Sequence, residues 1–369
     1  MAKSEAKTRA RDTETGETKS RSAELTIGHG ALELSSVTID SYNLELRDKD
    51  GFIGDRASKR AFADKLDDLR SRLQKVDADP MGDVATEDIS KKQLDQHVTG
   101  EDAAAAALVH GAIEEFAAEL AEVIRRFMRT KGWGGVERIA AGGGFKESRV
   151  GELAIARAGV ILNAGGSKVD VRPIHHHPDE AGLIGAIHLV PAWMFAGHDA
   201  ILAVDIGGSN IRAGVVRLNL KKASDLSEAE IWKSELWRHA DDSPSRTDAV
   251  GRLIRMLKDL IAKAEKAELK LAPFVGIGCP GLIEADGRID RGGQNLPGGN
   301  WESESFNLAN ALAKAIPDIG DHETFVVIHN DAVVQGLAEI PFMQDVGKWG
   351  VVTIGTGLGN ASFSNKPGK

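Results

Sequence analysis

The chemistry of this chain is concentrated in four short clusters of glycines, hydroxyls and acids. In AVDIGGSNIRAGVV (203–216) an acid, Asp205, lies near the end of an apolar run and is followed by Gly207, Gly208, Ser209 and Asn210 before a second apolar run. Two strands joined by such a turn aim backbone N–H groups and a hydroxyl at one point and set a carboxylate beside it. That arrangement suits a phosphate chain and its magnesium ion. VVTIGTGLGNA (351–361) repeats the form with Gly355, Thr356 and Gly357. AAGGGF (140–145) places Gly142, Gly143 and Gly144 at the end of a strand where a helix begins. A flat adenine ring or a phosphate can approach the backbone at such a place. IHNDA (328–332) ends an apolar strand on Asn330 and Asp331, at the edge where open α/β sheets place their ligands. Any one of these alone is common punctuation after a strand. Four in one chain point to a phosphate-binding site with an acid beside it.

The elements that must position these clusters can be read from hydrophobic spacing. Phe62, Leu66, Leu69, Leu73 and Val76 recur every three or four residues, which predicts an amphipathic helix. A second helix is predicted from Thr99, with Asp102 as its capping pair and with Ile113, Phe116, Leu120, Ile124 and Phe127 on one face. The stretch 24–46 alternates as two short strands. Residues 136–162 read as strand, three glycines and helix; a strand at Val169–Pro173 and a helix at Glu180–Val190 follow. From Ile201 the pattern is two strands, a helix over Thr247–Ala267, the strand PFVGIGCPG, a helix after Trp301, the strand FVVIHND and the closing WGVVTIGTGLGNASFS. Alternation of strands and helices in both halves predicts an α/β protein with two similar domains.

Bulk properties narrow the classes of function. The 369 residues suffice for two domains, since a domain takes roughly 100–200. With 46 basic against 55 acidic side chains the net charge is −9, which argues against a nucleic-acid binder. The single cysteine, Cys279, excludes an internal disulfide and a cysteine-rich zinc site, and it reads as a packed core thiol. Residues 1–23 are polar, with acids alternating with bases, and are expected to form a disordered tail. They hold no apolar core of a secretory signal, and no run approaches the ~20 apolar residues that span a bilayer. No membrane partner and a cytoplasmic location are therefore expected. HHHPDE (175–180) has the residue types of a metal site, but no further ligands lie at helical spacing, so metal binding is not assigned to it.

The same clusters carry a family resemblance. DIGGSNIRAGVV and TIGTGLGNA resemble the two phosphate motifs of the actin and sugar-kinase superfamily. GIGCPGLIEADGRI, QNLPGGNW and HNDA are similar to stretches of the ROK family of bacterial sugar kinases and repressors. AAGGGFKESRVGELAIARA resembles the family's adenosine motif, and PDEAGLIGAIHL its closing helix. The resemblance spans nearly all of 24–364 and differs in order. The family runs from phosphate 1 through the catalytic acid, phosphate 2 and the adenosine motif to the closing helix. Here the last two come first, and joining residue 364 to residue 24 restores the family order. The resemblance therefore implies a circularly permuted pair of actin-like ATPase (ribonuclease H-like) domains with an ATP cleft between them. One domain would comprise 24–200 plus 346–369, and the other 201–345. Chain ends often lie close together at the surface, where such permutation is tolerated.

What the resemblance implies for function is an ATP-dependent sugar kinase using ATP and Mg²⁺. Asp331 would be the general base. Gly207, Gly208, Ser209, Asn210, Gly355, Thr356 and Gly357 would hold phosphates, Gly142, Gly143 and Gly144 the adenosine, and Asp205 the magnesium through water. Asn295, Asn330, Asp331 and His29 would contact the sugar, with His29 equally readable as an ordinary hydrogen-bonded histidine. The family also implies a possible homodimer. Departures fall on the sugar side: Thr26 stands where the family has a Glu, and 35–55 replaces a cysteine-rich zinc loop without any cysteine. A non-catalytic sugar-sensing regulator and a nucleotide-binding scaffold that has lost activity remain as alternatives.

Overall fold

The computed structural model describes residues 27–367; the expected tail over 1–23, and Thr26, lie outside them. Two five-stranded sheets organise the molecule. One consists of β1 (Val37–Tyr42), β4 (Arg138–Gly142), β5 (Asp170–Pro173), β15 (Lys348–Ile354) and β16 (Leu358–Asn365), in the order β1–β16–β15–β4–β5. The other consists of β6 (Ala200–Ile206), β7 (Ile211–Arg217), β8 (Glu230–Trp237), β9 (Leu271–Cys279) and β14 (Phe325–Asn330), in the order β14–β9–β6–β7–β8. Small ribbons lie in the connections: β2 (Arg47–Asp48) with β3 (Gly51–Phe52), β10 (Leu282–Ile283) with β11 (Ile289–Arg291), and β12 (Asp318–Ile319) with β13 (His322–Glu323).

The two large sheets share one topology. β6, β7 and β8 form an antiparallel meander, and β9 and β14 continue parallel on the β6 side. In the other sheet β15, β16 and β1 form the antiparallel part, and β4 and β5 continue parallel on the β15 side. The strand equivalent to β8 is thus β1, which comes from the opposite end of the described chain. Beside that pairing the Lys366 N–H donates to the Ser36 carbonyl at 3.0 Å.

Helices cover both faces of each sheet, so the central strands are apolar on both sides; every residue of β6 is buried. Alternate residues point opposite ways. Ile201 and Ala203 of β6 and Val351 of β15 enter a central core, together with α5 (Pro178–Gly185) and α9 (Asp331–Leu337). Leu202, Val204 and Ile206 face an outer core with α7 (Arg246–Lys266) and α8 (Leu308–Ala315). Val352 and Ile354 face another with α1 (Lys59–Leu73), α3 (Ala103–Met128) and α4 (Arg149–Ala164). Each large side chain buried there contributes about 1.5–3 kcal/mol. Between the sheets α5 crosses α9 so closely that a Cβ added at Gly185 would stand 1.7 Å from the Val334 carbonyl oxygen.

Several local expectations are corrected. Within 27–46 there is one strand, β1; the part before it is a turn with a single bridge from Glu33 to Thr38. The first helix stops at Leu73, leaving Val76 beyond it and exposed. Thr99 ends a helix instead of starting one: α2 (Lys91–Thr99) was not foreseen, and Asp102 alone caps α3 by accepting from the Ala104 and Ala105 N–H groups. The stripe from Ile113 to Phe127 is buried as expected. Strand β8 and the short helix α6 (His239–Asp242) also lacked a readable pattern.

Candidate active site

The first glycine hairpin joins β6 to β7. Strand register pairs Asp205 with Arg212 and Ile206 with Ile211, and the Gly207 N–H closes the turn onto the Asn210 carbonyl at 2.8 Å. Asp205 has the inner parity of Ala203, so its carboxylate faces α5, where a Cβ added at Gly182 would lie 2.6 Å from its Cγ. The hairpin is held from behind. The buried His239 ring bonds the Gly207 carbonyl through Nε2 at 2.9 Å, and the Ala240 N–H donates to the Ser209 carbonyl at 3.2 Å.

The second hairpin joins β15 to β16. The Gly355 N–H donates to the Gly357 carbonyl, and the N–H of Lys59, first residue of α1, donates to the Gly355 carbonyl, both at 2.9 Å. Gly143 brings the third cluster against this strand. Its φ of +81° is the left-handed region that glycine adopts freely, and an added Cβ would stand 2.6 Å from the Ile354 nitrogen.

Both hairpins open on one cleft of about 670 Å³ between the sheets, within the usual size of small-molecule sites. Its lining includes Gly143, Gly144, Asp205, Gly207, Gly208, Ser209, Asn210, Asn295, Asp331, Gly355, Thr356 and Gly357. Residues more than two hundred positions apart are thereby brought together. Loop 43–55 also enters the cleft through Asn43, Glu45, Phe52 and Asp55. Asn360 ties it to β16, accepting from the Leu44 N–H at 3.0 Å and donating to the Leu44 carbonyl at 3.2 Å.

Three expected site residues are placed otherwise. The Asn330 side chain is buried as the cap of α9: its Oδ1 accepts from the Ala332 and Val333 N–H groups, and its Nδ2 donates to the Gly281 carbonyl. The side chain is buried and lies outside the cleft lining. His29 accepts from the Ile328 N–H at 3.2 Å and packs on Gly287, outside the cleft lining. Gly142 is buried within β4 against Ile174. Conversely, Glu147, remote in sequence, comes within 4.8 Å of His177 and Asp179. Lys91 engages its carboxylate, and Arg212 engages that of Asp179.

Electrostatics single out Asp331. It opens α9, and its Oδ1 accepts from the Ala332 N–H at 2.9 Å. Burial, and then the negative charge of Asp205, push its pKa up to about 7. Burial also raises Asp205, against the pull of Arg212, and raises the Cys279 thiol well above its ordinary value. A carboxylate titrating near neutrality can accept a proton from a hydroxyl held beside it. Sequence reading missed Arg212, His239 and Asn360. Arg212 alone carried a signal, since strand pairing across the hairpin sets it opposite Asp205.

Fold and cleft define an α/β protein with paired glycine hairpins facing one cleft. Residues 201–367, just under half of the chain, match the ROK family model, in keeping with the motifs they carry. No curated protein matches the chain. Among solved structures, a putative N-acetylmannosamine kinase from Listeria monocytogenes is 26% identical over 45% of this chain and 47% of its own, with a TM-score of 0.32. A putative sugar kinase from Cytophaga hutchinsonii is 21% identical over 46% of this chain and 50% of its own, also at 0.32. An exopolyphosphatase-like protein is 14% identical over 68% of this chain and 86% of its own, at 0.28. The chain thus spans about half the length of the first two.

Proposed function

We propose that this protein is an ATP-dependent kinase for a sugar hydroxyl. The observation that carries the reading is the meeting of Asp331, with its pKa near 7, with two glycine hairpins across one cleft. Phosphoryl transfer asks a protein for positioning and charge neutralisation more than covalent chemistry. The hairpin N–H groups, with Ser209 and Thr356, hold the β- and γ-phosphates from opposite sheets. Gly143 and Gly144 border the adenosine. Asp331 accepts the proton of the attacking hydroxyl, and Asn295 and loop 43–55 contact the sugar. Asp205, the carboxylate nearest the first hairpin, fits a water-mediated ligand of Mg²⁺, and that ion supplies neutralisation of the β- and γ-phosphate charge when bound.

The division of the chain belongs to the same reading: 24–200 with 346–369 as one domain and 201–345 as the other, related to the family by circular permutation. The matched topology of the sheets supports it, with β1 standing where β8 stands in its counterpart. A cytoplasmic enzyme follows from the activity. No described helix is long and apolar enough to cross a membrane. A catalytically silent nucleotide-binding relative is the second reading, favoured by the absence of Asn330 and His29 from the cleft lining. ADP release with a panel of hexoses and amino sugars, with and without Mg²⁺, separates the two. Sugar-stimulated, Mg²⁺-dependent release supports the kinase, and nucleotide binding without release overturns it.

A further inference from the structure

Arg212 is unexplained by the proposed reaction. It has the inner parity of β7, opposite Asp205, and its side chain is 16% exposed on the cleft wall. One terminal nitrogen, Nη1, reaches the Asp205 carboxylate at 3.5 Å, the outer limit of a useful hydrogen bond. The other, Nη2, pairs with Asp179 at the start of α5. A guanidinium carries five N–H donors in a fixed fork and stays charged at every accessible pH. Two carboxylates engaged through two terminal contacts leave donors free toward the cleft. The need for charge there is plain, because Asp179, Asp205 and Asp331 line one cleft, with Asp205 within charge reach of both others and Glu147 beside Asp179. A polyphosphate entering among these acids requires cationic compensation, and one divalent ion shared with Asp205 supplies only part of it. Lys59, Lys91 and Arg238 also border the cleft, but Lys59 and Arg238 are exposed and Lys91 is engaged by Glu147.

We infer that Arg212, held in place by Asp179, is a built-in cation for the terminal phosphate of the bound nucleotide. The inference rests on the kinase reading and adds a residue to it. In this role the Asp179 pair fixes the guanidinium plane, while the long contact to Asp205 gives way to the phosphate oxygens. Arginine suits the task because its fork meets two phosphate oxygens at once. Asp179 is then a positioning residue that acts through Arg212 and couples the phosphate site to α5.

The test compares binding of ADP with that of a non-hydrolysable ATP analogue to the full chain, by calorimetry in Mg²⁺. The wild type is expected to prefer the triphosphate by about tenfold or more, the worth of a hydrogen bond to a charged group. Arg212→Gln is expected to abolish that preference while keeping ADP affinity. Arg212→Lys should retain part of it, and Asp179→Asn should reduce it without touching the cleft's other donors. Melting curves of each variant separate these effects from loss of fold, and Arg212→Lys with Asp179→Asn, which keep a cation beside Asp205, carry the test if Arg212→Gln melts early. A preference unchanged in Arg212→Gln, or lost equally in Arg212→Lys, overturns the role of Arg212 and leaves the kinase reading standing. A wild type that binds neither nucleotide overturns the kinase reading, and this inference with it.

Discussion

The two glycine hairpins occupy equivalent places in matched sheets and differ in charge. Asp205 stands where Thr353 stands, each just before the isoleucine that leads into the turn. Their cross-strand partners differ as sharply: Asp205 faces Arg212, whereas Thr353 faces Gly359. A side chain at 359 has no room, since an added Cβ would lie 2.3 Å from the Thr353 Oγ1. Both turns are buttressed from behind, the first by His239 and Ala240 and the second by the N-terminus of α1. The same backbone device is thus built twice, once with an ion pair and once neutral. Asp331 lies at the charged side, where Asp205 raises its pKa. In the proposed kinase this amounts to a division of labour: both hairpins would offer backbone N–H groups, and only the first would have acid charge and a proton acceptor beside it.

The most damaging change to that division is Asp331→Asn. It is expected to lower sugar-dependent ADP release by about 10²–10⁴-fold, the usual worth of a general base, while ATP affinity stays near wild type. Substantial residual release from the purified variant would remove Asp331 from the role. In the wild type the rate should rise with pH through about 7, as Asp331 loses its proton. Asp205→Asn removes the second cause of that shift and should move the acidic limb of the kcat/KM profile to lower pH.

A smaller effect follows from giving the neutral hairpin a charge. Thr353→Asp puts a carboxylate on the cleft wall with only Gly359 across the strand pair. Unlike Asp205, it would have no cross-strand cation. Two like charges a few ångströms apart cost about 4 kcal/mol at an effective dielectric near 20, and water and Mg²⁺ would reduce that. ATP affinity is expected to fall by about tenfold or more, measured by calorimetry. Unchanged affinity would show that β15 does not face the phosphates.

Much of this arrangement was legible in the sequence, because glycine clusters at strand ends and long apolar strands are local signals. The hairpins, β4 with its glycines, and the amphipathic face of α3 all follow from spacing. Contacts between remote segments were not legible. His239 bonds a carbonyl thirty-two positions away, and Asn360 holds a loop more than three hundred positions away. Neither residue lies in a pattern of its own. Asn330 is a different case. An Asn directly before Asp331 and Ala332 at a strand–helix junction fits an N-cap, and that local rule outranked the family analogy that made it a sugar contact. The short polar helix α2 escaped because KKQLDQHVT offers a single buried side chain, Val98.

The acid beside the charged hairpin should also cost stability, in a pH-dependent way. Folded, Asp331 keeps its proton up to about pH 7, whereas the unfolded chain releases it near the ordinary carboxylate value of 3.8. The folded state holds the extra proton between those values, so stability falls as pH rises through that window. Asp331→Asn cannot ionise. It is expected to melt above the wild type at pH 8, by roughly 2–4 °C for about 1–2 kcal/mol, and level with it near pH 4. A variant less stable than the wild type at pH 8 would mean that the Asp331 carboxylate is better solvated or paired than its surroundings indicate.

The neutral hairpin offers the gentlest test, Gly357→Ala. An added Cβ at 357 meets nothing within 4 Å, and its φ is not left-handed, so the fold has no reason to resist it. Stability should stay within about 0.5 kcal/mol of wild type, as for surface changes away from special features. The methyl group would nevertheless project from the turn that is proposed to grip a phosphate, and ATP affinity should drop by about threefold to tenfold, as expected for crowding a charge-assisted contact. Gly207→Ala gives the matched measurement on the charged side, where an added Cβ would find only the Asn210 carbonyl at 3.6 Å. Comparable losses at both positions would mean that the two turns grip the phosphates alike and that their difference lies in charge alone. A loss confined to Gly207→Ala would mean that the charged hairpin holds the nucleotide by itself, with the neutral one left to close the cleft.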